Sequence, residues 1–573
     1  MPNDTPTAPA AFDLTARPWL PVLRTDGTEA ELSLTEVFAQ AADLRRLVGD
    51  VPTQEFALLR LLLAVLHDAL DGPENLDDWE ELWEEGIPAA VVADYLHKHR
   101  ERFDLLHPLT PFLQVAGLRT GKDEYSSPNP IVADVPNNAR FFTMRALGAQ
   151  SLTFAEAARW LVHAHAYDTS GIKSGAVGDP RLKGGKVYPQ GVGWAGNLGG
   201  VHIEGDTLQE TLLFNLVSFD TGNLHRKPRL DRPAWRLAPD TAEPLAGADA
   251  AARPHGLRDL YTWQTRRLRL HHDGEAVNGV LLAYGNPLTP RNLHEREPMT
   301  AWRRSPAQEK KLKEATVYLP RDHDPARAAW RGLGALVTGE ARGREQRNEA
   351  APKVVPGIVD WFARLAVEGP LAGGSLVRVR LVGAAYGTQQ SVIDEIVDDA
   401  VAMPVVLLHR DGGLLGQHAV GAVEDAENAV TALGDLATDL ARAAGREGDP
   451  PRSTARDQGF AALDDPFRAW LRALKPSGDP DYPAAERRRW QFQVHDLLSG
   501  IGRDLVRTSG EAAWQGRVVH TAKGDLWLNT SRADLYFRSR LRRALPMTVP
   551  PEASEAPADN GDDTPNRTTE TQR

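Results

Sequence analysis

The stretch from Tyr167 to Gly200 carries residues suited to chemistry at a polyanion. It opens with Thr169-Ser-Gly171-Ile-Lys173-Ser174-Gly175 and continues to Arg181-Leu-Lys183-Gly-Gly-Lys186. Glycines let the backbone come close to a ligand and expose its amides, while Lys and Arg set positive charge against phosphate. From the residues alone this is either a phosphate or nucleic-acid contact or a plain surface loop. Just beyond it, Gly191-Val-Gly193-Trp-Ala-Gly196 fits GxGxxG. A dinucleotide site needs that motif between a strand and a helix N-terminus. The flanks, Tyr188-Pro-Gln190 and Asn197-Leu-Gly-Gly200, supply neither. No GxxxxGK[ST] occurs, which removes the common ATPase reading.

Other arrangements are weaker. The chain has no cysteine, so disulfides, thiolate nucleophiles, iron–sulfur clusters and Cys-based zinc fingers are excluded. His271-His272-Asp273 suggests a metal-dependent phosphohydrolase, but the pattern places it at a hairpin tip, whereas such ligands are normally fixed on helices with further partners. His163 and His165 stand two apart on an expected helix and project in different directions. No Ser-His-Asp signature is evident, and neither a catalytic residue, a cofactor nor a metal is expected. Asn137-Asn-Ala-Arg-Phe141-Phe142-Thr143 combines amides, a cation and paired aromatics, a mixture suited to stacking on unpaired bases or to a turn beside two core rings. Gly387-Thr388-Gln389-Gln390 is an ordinary turn or a polar wedge offered to a groove.

The elements that must position these residues follow from periodicity. Trp19 to Leu23 and Ala30 to Ser33 flank Asp26-Gly27 as a hairpin. Ser33/Glu36 and Thr153/Glu156 have capping-box spacing, and Thr207/Glu210 opens a third capped helix. Gln54 to Leu70 is apolar almost all round, which predicts a buried helix. Arg266 to His271 and Val277 to Ala283 form a second hairpin about Asp273-Gly274, and Val377 to Val382 alternates as a strand. Beyond about Leu414 only helical patterns remain: Val430, Leu433, Leu436 and Leu440, then stretches near 456–474, 484–508 and 529–545, as for a four-helix bundle. The fold class is therefore α+β, a large mixed α/β domain followed by an all-α bundle. Its parts are a flexible N-terminus (1–12), the mixed domain (13–405), the bundle (406–548) and a disordered acidic tail (549–573).

With 573 residues, more than one core is required. The net charge of −12 is unevenly spread. Asp68 to Glu85 contains nine carboxylates and no Lys or Arg, while Arg291 to Lys313 contains seven basic residues against three Glu. Local fields rather than totals steer a polyanion, although each run also reads as a solvated face. No secretory signal or spanning segment is visible, so a cytoplasmic protein without a membrane partner is expected.

The segments Pro18-Trp-Leu-Pro-Val22, Pro52-Thr-Gln-Glu-Phe-Ala-Leu-Leu-Arg60, His107-Pro…Pro111-Phe-Leu-Gln114, Ser170 to Gly200 and Gly256-Leu-Arg-Asp-Leu-Tyr-Thr-Trp-Gln-Thr265, in this order and spacing, resemble one family. It is CasA, the large subunit of type I-E CRISPR Cascade complexes, and the resemblance is to its actinobacterial members. The likeness spans nearly the whole chain. It implies a non-catalytic subunit of an RNA-guided antiviral complex. Such a subunit recognises the protospacer-adjacent motif in double-stranded DNA, helps start strand separation and R-loop formation, and docks the recruited helicase-nuclease. The implied partners are the 5′ handle of the guide RNA, the target duplex and the neighbouring subunits CasB, CasC and CasD.

Carried onto this chain, the family's RNA-handle loop falls at Phe141, Phe142 and Thr143. Its glycine loop, which probes the minor groove, falls at Gly171, Lys173, Ser174 and Gly175. The wedge falls at Gly387, Thr388, Gln389 and Gln390, with Gln389 inserted beside the first base pair. Arg181, Lys183, Lys186, Arg291, Lys310 and Lys311 are read as basic DNA-backbone contacts, and Arg291 also lies near the family's groove-reaching lysine. Some relatives carry a Cys-based zinc finger near residues 271–279; here a shorter hairpin must replace it.

Overall fold

Helix Pro52–Leu70 shows how composition becomes architecture. Pro52 sits in the first turn, where a missing N–H breaks no helical bond. Every residue from Thr53 to Asp68 except the half-buried Glu55 is buried. A helix apolar on all faces must be enclosed, and this one is. Helices Ala89–His99, Phe154–Tyr167 and Leu257–Tyr261 surround it together with strand Leu376–Tyr386. In a computed structural model, the residues described are 11–133, 149–337 (except 223, 225, 226 and 228), 353–371, 375–408, 413–446, 449–521 and 524–548.

The local signals hold. Strands Leu20–Arg24 and Glu29–Leu32 pair antiparallel, with Leu20 opposite Leu32 and Gly27 at φ 86° in the turn. Strand Leu44–Leu47 adds on the other side of Leu20–Arg24. Ser33/Glu36 and Thr153/Glu156 are complete capping boxes. Thr207 caps its helix by accepting from Glu210 N–H, but the Glu210 carboxylate turns to Asp206 N–H, so the reciprocal half is absent. The hairpin Arg266–His272/Val277–Tyr284 closes where the Asp273 carboxylate accepts N–H bonds from Glu275 and Ala276, both 2.9 Å.

One sheet governs the site. Strand Leu376–Tyr386 lies between Gly200–Glu204 and Ile393–Pro404, antiparallel to both. The long hairpin it forms with Ile393–Pro404 carries residues 387–392 at its tip. A smaller sheet sets Trp302–Arg304 between Tyr318–Pro320 and Lys353–Val354.

The chain divides into two compact units, Met1–Gln417 with Leu471–Pro476, and His418–Trp470 with Ser477–Arg573. The four long C-terminal helices among the described residues are Gly413–Ala443, Pro450–Ala473, Tyr482–Arg507 and Thr530–Ala544, with a five-residue helix, Glu511–Gln515, between the last two. Val430, Leu433, Leu436 and Leu440 are buried along one stripe, as their spacing requires. Phe467 meets Trp490 edge-on at 5.1 Å, and Trp470 lies 5.7 Å from the same ring. Asp425 is held by Arg487 at 2.7 and 2.8 Å and by Gln491 at 2.8 Å. The α+β class thus stands, and the structure adds a small hairpin, Arg517–Thr521/Gly524–Leu528, before the last helix.

Candidate nucleic-acid interface

The glycine loop leaves the C-terminal end of helix Phe154–Tyr167 through Asp168, and a guanidinium fixes its root. Arg266 pairs with the Asp168 carboxylate and donates to the carbonyls of Asp168 (3.0 Å), Thr169 (3.2 Å) and Gly191 (2.9 Å), with its plane 4.8 Å from the Tyr284 ring. The Tyr284 hydroxyl accepts from Gly171 N–H at 3.1 Å and donates to Gly171 C=O at 2.6 Å. The loop then folds as a narrow hairpin. Lys173–Ser174 pairs with Lys186–Val187, and Gly175 N–H donates to Gly185 C=O at 3.0 Å. Just before the returning strand, Lys183 and Lys186 bridge a two-residue turn with Gly184 and Gly185 at φ 57° and 77°, the left-handed pair that so tight a reversal requires. Lys183 and Lys186 flank that turn, both exposed.

The glycines differ in purpose. A Cβ on Gly175 would overlap the Leu182 side chain, so that position is a packing requirement. A Cβ on Gly171 would meet nothing within 4 Å, and its φ is not left-handed. The fold does not demand glycine there. Two of the GxGxxG glycines serve close approach inside the protein: a Cβ on Gly193 would strike Ala166 and Tyr167, and one on Gly196 would strike the Tyr386 hydroxyl, whereas Gly191 is called for by its left-handed backbone at φ 100°. The segment continues into a 3-10 turn, Ala195–Asn197, with no helix after it.

Two of the expected basic residues are engaged inside the protein. Lys173 Nζ lies 2.8 Å from Asp168, with its side chain 11% exposed, so its charge is neutralised internally. Burial pushes the Asp168 carboxyl upward, but Lys173 and Arg266 outweigh burial and hold it below the usual carboxylate range. Arg181 is likewise committed: it bonds Asp179 through Nε and Nη2 (both 2.9 Å) and donates to Gly285 C=O (3.0 Å) and Tyr284 C=O (2.8 Å). Lys310 and Lys311 are exposed on helix Pro306–Leu312, and Arg291 pairs with Glu314 at 3.3 Å.

The wedge segment sits at the tip of the long hairpin and turns through two successive non-glycine residues in the left-handed region, Gln389 (φ 57°) and Gln390 (φ 56°). Each costs about 1–2 kcal/mol relative to ordinary backbone. Three backbone bonds hold the turn: Gly387 N–H to Val392 C=O (3.0 Å), Gln390 N–H to Gly387 C=O (2.9 Å) and Ser391 N–H to Thr388 C=O (3.3 Å). A Cβ on Gly387 would press on the Asp394 carboxylate. Thr388, Gln389 and Gln390 are exposed. The structure joins this tip to the glycine loop, since Ser170 N–H donates to Gln390 C=O at 2.7 Å. A small cleft beside them is lined by Asn129, His163, Tyr167, Thr169 and Ser391, among others.

Phe141, Phe142 and Thr143 lie outside the described residues. The histidines offer no shared site. His163 Nε2 is 3.0 Å from Thr53 Oγ1, and His165 Nε2 is 2.9 Å from Leu113 C=O. Burial pushes their pKa values down to about 3 and about 4. His271 stacks on Tyr125 at 4.0 Å, and burial lowers its pKa. Among the described residues, no group of three His, Asp or Glu could hold a metal ion. Asp168, Arg266, Tyr284 and Tyr386, which shape the site, escaped sequence reading because each acts through residues distant in the chain.

The description "CRISPR-associated protein Cse1" belongs to the family model that matches residues 13–501. A curated CasA/Cse1 protein of Thermus thermophilus is 33% identical over 303 residues, a stretch covering 51% of this chain and about half, 55%, of that relative. The crystal structure of Thermobifida fusca Cse1 is similar over 94% of this chain and 99% of its own, with 62% identity and a TM-score of 0.86. A chain from a CRISPR RNA-guided surveillance complex shares the fold at 19% identity and a TM-score of 0.68, over 93% of this chain and 100% of its own. No helix among the described residues is long and apolar enough to cross a membrane. With a mixed domain, a helical bundle and a family match across most of its length, the chain belongs to the Cse1 (CasA) family.

Proposed function

We propose that this chain is the large, non-catalytic subunit of an RNA-guided surveillance complex in the cytoplasm. In this reading the region 13–405 contacts nucleic acid and 406–548 forms the bundle. The glycine loop about Gly171 probes the minor groove at the adjacent motif, Gln389 wedges beside the first base pair, and the exposed Lys183 and Lys186 lie along the DNA backbone. The RNA handle contacts Phe141, and the subunit docks a helicase-nuclease beside CasB, CasC and CasD. The observation that carries the reading is the Ser170–Gln390 bond, which sets two exposed loops more than 200 residues apart side by side. Wedging has a physical rationale: unstacking a base step costs a few kcal/mol, which contacts to the opened duplex must offset.

The test is reconstitution with the other subunits and guide RNA, measuring target binding with and without this chain on duplexes of varied adjacent motif. Gln389→Ala is expected to impair strand opening more than duplex binding; equal loss of both would count against the wedge. The phosphohydrolase reading gains no support, since His271 is stacked on Tyr125 and no three ligating groups converge among the described residues.

A further inference from the structure

Tyr386 ends the central strand immediately before the wedge segment. Its hydroxyl reaches across the fold and donates to Tyr167 C=O at 2.8 Å, the last residue of the helix from which the glycine loop departs. Three residues beyond Tyr167, Ser170 N–H donates back to Gln390 C=O at 2.7 Å. The two bonds bracket the junction: one ties the base of the wedge to the root of the glycine loop, the other ties their outer parts. Gly196 completes the arrangement, because any side chain there would occupy the space of the Tyr386 hydroxyl. Burial, reinforced by the nearby Tyr167 and Asp168, raises the phenol pKa well above its ordinary value, so the group stays a neutral donor. Nothing in this cluster is needed to build the hairpin itself, whose register is set by its own ladder from Leu376 to Tyr386.

We propose that Tyr386 is the positioning residue of the wedge: its bond to Tyr167 fixes where Gln389 stands relative to a groove held by the glycine loop. This rests on the reading that both loops engage the target duplex. A positioning residue acts only through what it positions. Its removal should therefore affect strand opening selectively, and should have no effect once the glutamine is gone.

The experiment uses the reconstituted complex with guide RNA. Strand opening is read from 2-aminopurine fluorescence at the first target base pair, duplex affinity from titration, and folding from the melting midpoint. Tyr386→Phe deletes only the hydroxyl. It is expected to lower opening at saturating duplex about tenfold, the equivalent of one hydrogen bond, with affinity changed less than about threefold. Gln389→Ala combined with Tyr386→Phe should open no less than Gln389→Ala alone. Gly196→Ala, which keeps the hydroxyl but crowds it, should reproduce the selective loss and stands in if Tyr386→Phe fails to assemble. Unchanged opening in Tyr386→Phe, or losses that add in the double variant, overturn the positioning role while the wedge reading survives. If Gln389→Ala leaves opening intact and Gly171→Ala leaves duplex affinity intact, the underlying reading fails, and the positioning role with it.

Discussion

Gly171 and Gly175 lie four residues apart in one loop, yet the structure predicts opposite outcomes for the same substitution. At Gly171 a methyl group meets no heavy atom within 4 Å and the backbone is not left-handed. Alanine there narrows the unfolded ensemble without clash, so folding stability should stay level or rise by about 0.4–1 kcal/mol. The loss should appear only when DNA lies against the backbone. A methyl forced into a packed contact costs about 1–3 kcal/mol, or roughly tenfold or more in duplex affinity. At Gly175 the methyl overlaps the Leu182 side chain and lies 2.9 Å from Gly185 O. The same cost of about 1–3 kcal/mol then falls on folding itself. The assay pairs denaturant unfolding of each variant with titration of the assembled complex against duplexes carrying and lacking the preferred adjacent motif. Full affinity in Gly171→Ala, or destabilisation equal to that of Gly175→Ala, would refute the assignment of Gly171 to an intermolecular contact.

The lysines divide in the same way. Lys183→Ala and Lys186→Ala should leave the melting temperature unchanged and each reduce the salt dependence of DNA binding by about one unit, because both are exposed beside a two-residue turn. Lys173→Ala should instead destabilise by about 2 kcal/mol, since it removes one partner of a buried carboxylate that keeps Arg266; identical behaviour of all three in melts and salt titrations would be the contrary result. Acid should weaken the fold before its carboxylates titrate. Burial depresses His163 and His202 to about 3 and His165 to about 4, so between those values and 6.5 the unfolded chain binds protons that the native chain does not. Stability is then complete above pH 6.5 and declines as pH falls, by about 2 kcal/mol per histidine at pH 5. Unfolding measured from pH 7.5 to 5 should show that slope, reduced by His202→Gln; a slope unaffected by that change would be incompatible with it.

Local chemistry was legible in the sequence, and chemistry assembled across the fold was not. The capping pairs Ser33/Glu36 and Thr153/Glu156 act over three residues, and the Asp26-Gly27 and Asp273-Gly274 turns over four, so the chain states them directly. The half-formed cap at Thr207 shows the limit, because the Glu210 carboxylate accepts from Asp206 N–H instead. Lys173 reads as a free cation until Asp168 and Arg266, 98 residues apart, are seen to form its surroundings. Arg181 reads the same way until Tyr284 and Gly285 are placed beside it. The glycines at 193 and 196 announce close approach, but only the fold shows that what approaches is the protein itself. The small hairpin at residues 517–528 was missed because a five-residue alternation next to helical patterns carries little signal.

Gln389 and Gln390 already hold their left-handed turn in the free chain, secured by backbone bonds on both sides. Fixing a residue's backbone costs about 1–2 kcal/mol. For this turn the cost falls once, on folding, and does not recur at each encounter. A surveillance particle meets far more wrong duplexes than right ones. A tip that needs no reshaping can test and release each of them in the time of contact, without waiting for a loop to reorganise over nanoseconds to microseconds. On the proposed reading, a preformed tip serves search speed as much as grip.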